Sequence, residues 1–224
     1  MRVLLVGAAG RMGKTIVDVA KDDPNIEIVA QCDIGDPLAS AMRKSDVVID
    51  FSHPDAIDGI CGAALQDQRP FVIGTTGHSA EQRSAIERAA RSVPVVFASN
   101  FSAGVNVLFA LARNTAETLG PEFEIEIIEM HHQMKKDTPS GTAKTLAAIL
   151  HQARNASDEI PIQSIREGDV VGEHTVIFSG PGERLELTHR AASREIFARG
   201  ALRAARWVIG KPARLYSMQD VLGL

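Results

Sequence analysis

Short apolar runs alternate with amphipathic stretches along the first hundred residues, and this alternation limits the possible folds more than any other feature. The apolar runs have the length of strands and lie at residues 2–6, 26–32, 46–51, 71–73 and 93–98. Helical spacing of apolar residues is found at 12–20, 54–66 and 79–91. Strands that alternate with helices predict βαβ units around a parallel sheet.

The pattern changes after residue 100. Further helices are predicted at 104–119, 140–153 and 193–209, and strands at 123–130, 162–165, 174–179 and 184–189. Residues 123–127 alternate apolar and acidic side chains, as in a strand with one solvated face, and Ile128 interrupts the strict period. This half is therefore expected to be α+β with an open mixed sheet, and residues 215–224 could return to either half.

Three glycines follow the first predicted strand. Gly7, Gly10 and Gly13 stand where that strand turns into a helix, where a phosphate needs close access to backbone N–H groups. Asp33 ends the second strand, the position of the ribose-binding carboxylate in Rossmann domains. This order predicts a Rossmann-like dinucleotide-binding domain. The alternative is an ordinary strand–helix turn with Asp33 as a solvated strand end.

The residue after Asp33 bears on the choice of dinucleotide. Ile34 cannot bind a 2′-phosphate, for which a cation near the acid is usual. Arg11 in the glycine loop could supply such a charge. We therefore expect NADH to be preferred, with some use of NADPH.

Two more loops follow predicted strands and are expected to meet the nicotinamide half, because strand carboxyl ends face the ligand in such sheets. Both combine small residues with hydroxyl or amide groups: Gly74, Thr75, Thr76 and Gly77 in one, and Ala98, Ser99, Asn100 and Phe101 in the other. Each loop could also be an ordinary strand–helix connection.

The densest polar cluster begins at the end of the strand predicted at 123–130. His131, His132, Lys135 and Lys136 suit proton transfer and an anionic substrate. Ser140 is a plausible N-cap of the next helix, and its first-turn donors would be Gly141 and Thr142. The cluster thus indicates a carboxylate pocket beside proton donors. The alternative is a solvated basic loop before a capped helix.

Composition excludes several classes of protein. The net charge of −4 gives no electrostatic basis for binding nucleic acid, and no apolar run has membrane-spanning length. Cys32 and Cys61 are too few for a disulfide framework, and no metal-ligand spacing is evident. We expect a cytoplasmic protein with reduced thiols, no metal and no membrane or nucleic-acid partner.

Taken together, the motifs resemble the 4-hydroxy-tetrahydrodipicolinate reductase family over nearly the whole chain. The most specific stretch begins at Glu129, contains both histidines and Lys135, and ends at Ala143. The other matching segments are 7–13, 74–77, 100–102, 172–174 and 184–189.

The resemblance implies roles for individual residues in reducing 4-hydroxy-tetrahydrodipicolinate with NADH or NADPH, in the diaminopimelate route to lysine. His131 would donate and accept a proton, and Lys135 would donate one. The substrate carboxylates would be bound by His132, Ser140, Gly141 and Thr142. The dinucleotide would be held by Gly7, Ala8, Ala9, Gly10, Arg11, Met12 and Asp33, and its nicotinamide half by Gly74, Thr75, Thr76 and residues 98–101.

The resemblance also implies an arrangement of domains. Residues 1–101 with 195–224 would bind the dinucleotide, while residues 102–194 would bind a small dicarboxylate substrate and form a homotetramer through their sheets. The chain departs from longer members in the short segments 33–46 and 166–171, in Met134 and in Lys136. Two alternatives remain: a related dehydrogenase, such as an aspartate dehydrogenase, and a nucleotide-sensing protein without turnover.

Overall fold

The computed structural model describes residues 1–33, 35–155 and 158–224. By its internal contacts the chain forms two compact units, Met1–Ala103 with Glu195–Leu224, and Gly104–Arg194. No helix in the described part of the chain is long and apolar enough to cross a membrane.

The first unit is built on a six-stranded sheet. In chain order its strands are β1 (Arg2–Val6), β2 (Glu27–Cys32), β3 (Val47–Asp50), β4 (Phe71–Ile73), β5 (Val95–Phe97) and β10 (Leu215–Tyr216). All pairs are parallel, in the spatial order β10-β5-β4-β3-β1-β2. Because β1 lies between β2 and β3, the order reverses at β1, and ligands of such sheets bind outside the carboxyl ends at this point.

Helices cover both faces of this sheet. They are α1 (Arg11–Ala20), α2 (Leu38–Met42), α3 (Ile57–Gln66), α4 (Ala80–Ala90), α7 (Glu195–Val208) and α8 (Met218–Leu222). Val3 and Leu5 face a core shared with α1, α7 and α8, whereas Leu4 and Val6 face a core shared with α2, α3 and α4. Burial on both faces explains why β3 begins with three apolar residues in succession, at 47–49.

The second unit has a four-stranded mixed sheet under two helices. Its elements are α5 (Ala103–Leu119), β6 (Glu124–His131), α6 (Gly141–Arg154), β7 (Ile162–Arg166), β8 (Gly172–Gly180) and β9 (Glu183–Ala191). The strand order is β7-β6-β8-β9, in which only the β6–β7 pair is parallel. Apolar residues of α5 and α6 pack on one face of this sheet.

The predicted fold class is confirmed, and most predicted elements lie within a few residues of the observed ones. Four short elements were missed: α2 within the short segment 33–46, a 3-10 helix at Gly120–Glu122, and β10 and α8 in the tail. Ile128 interrupts the alternation of apolar and acidic residues in the sequence but not the alternation of buried and partly exposed positions along β6. β6 keeps its alternation to the end, so Glu129 and His131 lie on the same buried face as Ile127.

Candidate active site

The turn after β1 has the backbone shape that a phosphate site requires. Gly7 has φ +85°, and a Cβ built on it would lie 2.4 Å from the Phe51 carbonyl oxygen. Its N–H donates to the Cys32 carbonyl at 2.8 Å, which fixes the turn against the end of β2. Gly10 then forms the N-cap of α1. A helix N-terminus with room for a ligand's approach suits a pyrophosphate group.

A cavity of about 560 Å³ opens beside this turn. Gly7, Gly10 and Asp33 all line it, so the structure brings three of the predicted dinucleotide residues together. Asp33 Oδ2 accepts a hydrogen bond from Ala9 N–H at 3.0 Å, and the Asp33 N–H donates to Asp36 Oδ2 at 2.7 Å. These residues fit a dinucleotide, because the cavity joins a phosphate turn to carboxylates at the end of β2.

Other predicted dinucleotide residues are placed differently. Ala8 is buried in the core of the first unit, and Met12 is partly buried and packs against that core. Arg11 is the exposed first residue of α1. Ile34, on which part of the cofactor preference was argued, lies outside the described residues. Asp36 and Phe51 line the cavity and were not predicted, although the strand-end rule could have found Phe51 after β3.

The two loops expected near the nicotinamide follow β4 and β5 and do not line this cavity. Thr75 is buried, and its hydroxyl oxygen accepts from Ser52 N–H at 2.9 Å. Asp50 also accepts from Ser52, and burial raises the pKa of this carboxyl despite these hydrogen bonds. Phe101 is almost fully buried, and its ring packs at 5.7 Å from that of Phe51. Its side chain therefore belongs to the core.

In the second unit, a buried carboxylate holds one of the predicted histidines. His131 Nδ1 is hydrogen bonded to Glu129 Oε2. Burial lowers the pKa of His131, while the hydrogen bond to Glu129 opposes that change. Since Nδ1 is bound to Glu129, Nε2 is the ring nitrogen that can reach a substrate.

The same carboxylate receives an arginine. Arg166, at the end of β7, donates from Nη1 to Glu129 Oε2 at 2.9 Å and from Nη2 to Oε1 at 2.8 Å. Burial acts to raise the pKa of Glu129, but the hydrogen bonds from Arg166, His131 and the Ser140 N–H outweigh it and hold the pKa at about 2. Glu129 is thus an ionised carboxylate inside the unit.

The predicted site residues His132 and Lys135 both have polar partners. Lys135 Nζ donates to the two carboxylate oxygens of Asp137 at 2.7 and 2.8 Å. Burial acts to raise the pKa of Asp137, but the hydrogen bond from Lys135 lowers it below its usual value. Arg194 Nη2 lies 3.4 Å from His132 Nε2. Because arginine can only donate, Nε2 of His132 is the acceptor.

Ser140 caps α6 as predicted, which places Gly141 and Thr142 at the first two positions of that helix. The Ser140 oxygen accepts from Ala143 N–H at 3.2 Å and lies 3.1 Å from His174 Nε2, while its N–H donates to Glu129. Its N–H and hydroxyl thus have partners within the protein and support the end of the helix, while its role in binding substrate stays a prediction.

Sequence reasoning assigned no role to Glu129, Arg166, Asp137, His174 or Arg194. The signal for Glu129 was present: a strand of alternating residues places it on the apolar face, where an acid needs a partner. Arg166 could not be paired with it from sequence, because the contact depends on the parallel register of β6 and β7.

Comparisons with known proteins identify the family. The profile described as dihydrodipicolinate reductase, N-terminus, matches residues 1–101, and the C-terminus profile matches residues 104–222. A 4-hydroxy-tetrahydrodipicolinate reductase of Akkermansia muciniphila is 48% identical, covering 99% of this chain and 98% of that relative. One from Syntrophus aciditrophicus is 40% identical over 264 aligned residues, covering 100% of this chain and 98% of the relative.

Solved structures agree with these relatives. A dipicolinate-bound dihydrodipicolinate reductase from Paenisporosarcina is 27% identical with a TM-score of 0.84, covering 98% of each chain. An aspartate dehydrogenase from Thermotoga maritima is 15% identical with a TM-score of 0.54, covering 92% of this chain and 95% of that one. The second likeness concerns the fold alone.

Proposed function

The chain belongs to the 4-hydroxy-tetrahydrodipicolinate reductase family, and on this premise we propose which of its residues perform the reaction. The reaction is the reduction of 4-hydroxy-tetrahydrodipicolinate with a nicotinamide dinucleotide, in the diaminopimelate route to lysine. A bound nicotinamide supplies hydride. The residues of the chain must hold the two reactants, exclude water and deliver one proton.

We assign the dinucleotide to the first unit. Gly7 and Gly10 would take the pyrophosphate at the start of α1, and Asp33 the adenosine ribose. The supporting observation is the cavity beside the Gly7 turn, which Asp33 and Asp36 also line. Two carboxylates there would repel a 2′-phosphate, so NADH is the preferred cofactor. Residues 74–76 and 98–101, which follow β4 and β5, would hold the nicotinamide half.

We assign the substrate to the second unit. His132, Gly141 and Thr142 would bind its carboxylates, because the N-terminal end of α6 carries partial positive charge and Arg194 adds a cation beside His132. The relative from Paenisporosarcina binds dipicolinate, an aromatic dicarboxylate, and the same class of ligand fits this cluster.

Proton delivery falls to Lys135 and His131. After water leaves, reduction adds one hydride and one proton to the substrate, so an acid must lie near the ring. Lys135 is largely buried, and Asp137 fixes the position of its ammonium. The observation that carries this proposal is the Lys135 and His131 pair, each held by a carboxylate of the same unit.

Titration with dipicolinate tests the substrate assignment. By calorimetry, His132→Gln is expected to weaken binding about tenfold, the loss of one charge-assisted contact. His151→Gln, an exposed histidine at the far end of α6, is the matched control and should bind as the parent does. Equal affinity in His132→Gln would remove His132 from the site.

We further propose a cytoplasmic homotetramer. Both cysteines are buried free thiols, which suits a reducing compartment. Ile128, Met130 and Ile165 lie on the face of the second sheet opposite to α5 and α6, and a second copy could cover them. Light scattering should give four times the chain mass, and Ile165→Lys should give a smaller species. A monomeric parent protein would contradict the proposal.

A further inference from the structure

Glu129 is the only carboxylate in the described second unit that is fully buried and receives donors from three different elements. Arg166 reaches it from β7, the Ser140 N–H from the start of α6, and the His131 ring from two residues along β6. Its side chain has no exposed surface. A charge buried at this depth requires all of its hydrogen bonds, so its neighbours are held in fixed positions.

We propose that Glu129 is a positioning residue for the reaction: it accepts the Nδ1–H of His131, fixes that tautomer and presents Nε2 to the substrate, while Arg166 keeps the carboxylate in place. The inference rests on the proposed function, in which His131 exchanges a proton. An ionised carboxylate can only accept, so the shared proton resides on His131 Nδ1. Carboxylates orient catalytic imidazoles in this way in unrelated enzymes.

Packing restrains the same ring from other directions. The His174 ring meets it edge-on, with centroids 5.1 Å apart. A Cβ built on Gly172 would lie 2.9 Å from His131 Nε2, so a side chain at position 172 would collide with the ring. The hydrogen bond therefore sets the tautomer of a ring whose orientation is already limited by its neighbours.

Glu129 and Arg166 also act on the loop before α6. Arg166 Nη2 donates to the Asp137 carbonyl at 2.8 Å and to Thr138 Oγ1 at 3.2 Å. This loop carries Lys135, which Asp137 binds. Glu129 and Arg166 together thus connect His131 to the loop that holds the second proton donor.

Removing the charge of Glu129 changes the titration of His131 in a defined direction. The charged or titratable groups that face His131 are Glu129 on its own strand, Arg166 on β7, His174 on β8, and Lys135 and Asp137 in the loop. Burial, Lys135 and Arg166 lower the pKa of His131, and Glu129 raises it. Burial lowers the pKa of His174 to about 3, so that ring is neutral. Without Glu129 the pKa of His131 falls further.

The decisive variant is Glu129→Gln, which keeps the size of the side chain and removes its charge. We expect kcat to fall about 10- to 100-fold, part of the 10²- to 10⁴-fold that a positioned acid or base supplies, with the KM for substrate changed less than about threefold. The limb of the pH profile that disappears in His131→Gln should move to lower pH. Glu126→Gln removes the same charge from the same strand, where Glu126 pairs with Gln163 of β7, and should keep the parent's kinetics.

A measurement on the unaltered protein covers the case in which Glu129→Gln fails to fold. In protein labelled with 15N-histidine, the His131 ring, assigned with His131→Gln, should show a downfield proton on Nδ1 and an unprotonated Nε2 at neutral pH. The Nε2–H tautomer, or parent-like kcat and pH profile in a folded Glu129→Gln, would overturn the inference. Failure of the proposed function is a separate result, because His131→Gln would then retain full kcat whichever tautomer is observed.

Discussion

Replacing Arg166 with methionine should destabilise the second unit strongly at neutral pH and much less in acid. Methionine preserves much of the side-chain volume but leaves Glu129 as a buried carboxylate without its cation. Breaking a buried ion pair in this way costs about 3–5 kcal/mol in the free energy of unfolding. The acid dependence follows from the pKa of Glu129, which is about 2 in the folded protein against an ordinary value of 4.5.

The direction of this pH dependence follows from the linkage between proton binding and folding. Because folding lowers the pKa of Glu129, its contribution to stability is complete above pH 4.5 and is lost as the pH falls towards 2. The difference between these two pKa values corresponds to about 3 kcal/mol in the free energy of unfolding. Arg166→Met removes the hydrogen bonds that lower the pKa of Glu129 most, so burial then raises that pKa. The carboxyl is then protonated in acid, so the difference between variant and parent narrows.

Urea unfolding at pH 7 and pH 3, at one protein concentration, measures both effects by far-ultraviolet circular dichroism. Trp207, the single tryptophan of the chain, lies in the first unit, and its fluorescence provides an internal control for that unit. The double variant Glu129→Gln, Arg166→Met should recover part of the loss, because no charge remains buried. If Arg166→Met lowers the free energy of unfolding by less than about 1 kcal/mol at pH 7, or by as much at pH 3 as at pH 7, Arg166 does not stabilise the charge of Glu129.

Three further results are expected. Lys135→Met should lower kcat about 10²- to 10⁴-fold with little change in substrate KM, since a proton donor acts in the transition state; an unchanged kcat would remove its assignment. Gly7→Ala should weaken NADH binding, measured by Trp207 fluorescence, at least tenfold, because its Cβ would lie 2.4 Å from a carbonyl oxygen. The control Gly62→Ala has open space around the new Cβ and should bind NADH as the parent does. Asp33→Asn should raise the NADPH-to-NADH ratio of kcat/KM about tenfold, and a fixed ratio would show that Asp33 does not select the cofactor.

Much of the first unit could be predicted because its signals are local. Strands buried on both faces give unbroken apolar runs, such as 47–49, and the glycine turn needs conformations that few other residues adopt. The short elements α2, β10 and α8 gave no clear pattern. β10 has two residues and is a strand only because it pairs with β5, a contact between segments more than a hundred residues apart.

The site in the second unit could be predicted only in part. The histidines, Lys135 and the Ser140 cap lie within one stretch of sequence, so they could be recognised from the sequence as one cluster. Several of the groups that hold them lie elsewhere in the chain: Arg166 on β7, His174 on β8 and Arg194 before α7. Their contribution depends on strand register and on burial, which determine that Arg166 meets Glu129 and that His174 meets Ser140. Segment 166–171, one of the short segments in which the chain departs from longer family members, also binds the site backbone, since the Val170 carbonyl accepts from the His132 N–H at 2.8 Å.

NADH oxidation at 340 nm, with the substrate formed in situ from pyruvate and aspartate semialdehyde by the preceding synthase, measures directly whether this chain reduces 4-hydroxy-tetrahydrodipicolinate. We expect rapid oxidation that requires the synthase product, is faster with NADH than with NADPH, and is lost in Lys135→Met. If protein that binds NADH showed no substrate-dependent oxidation, the chain would not be this reductase. Activity with oxaloacetate and ammonia instead would point to an amino-acid dehydrogenase.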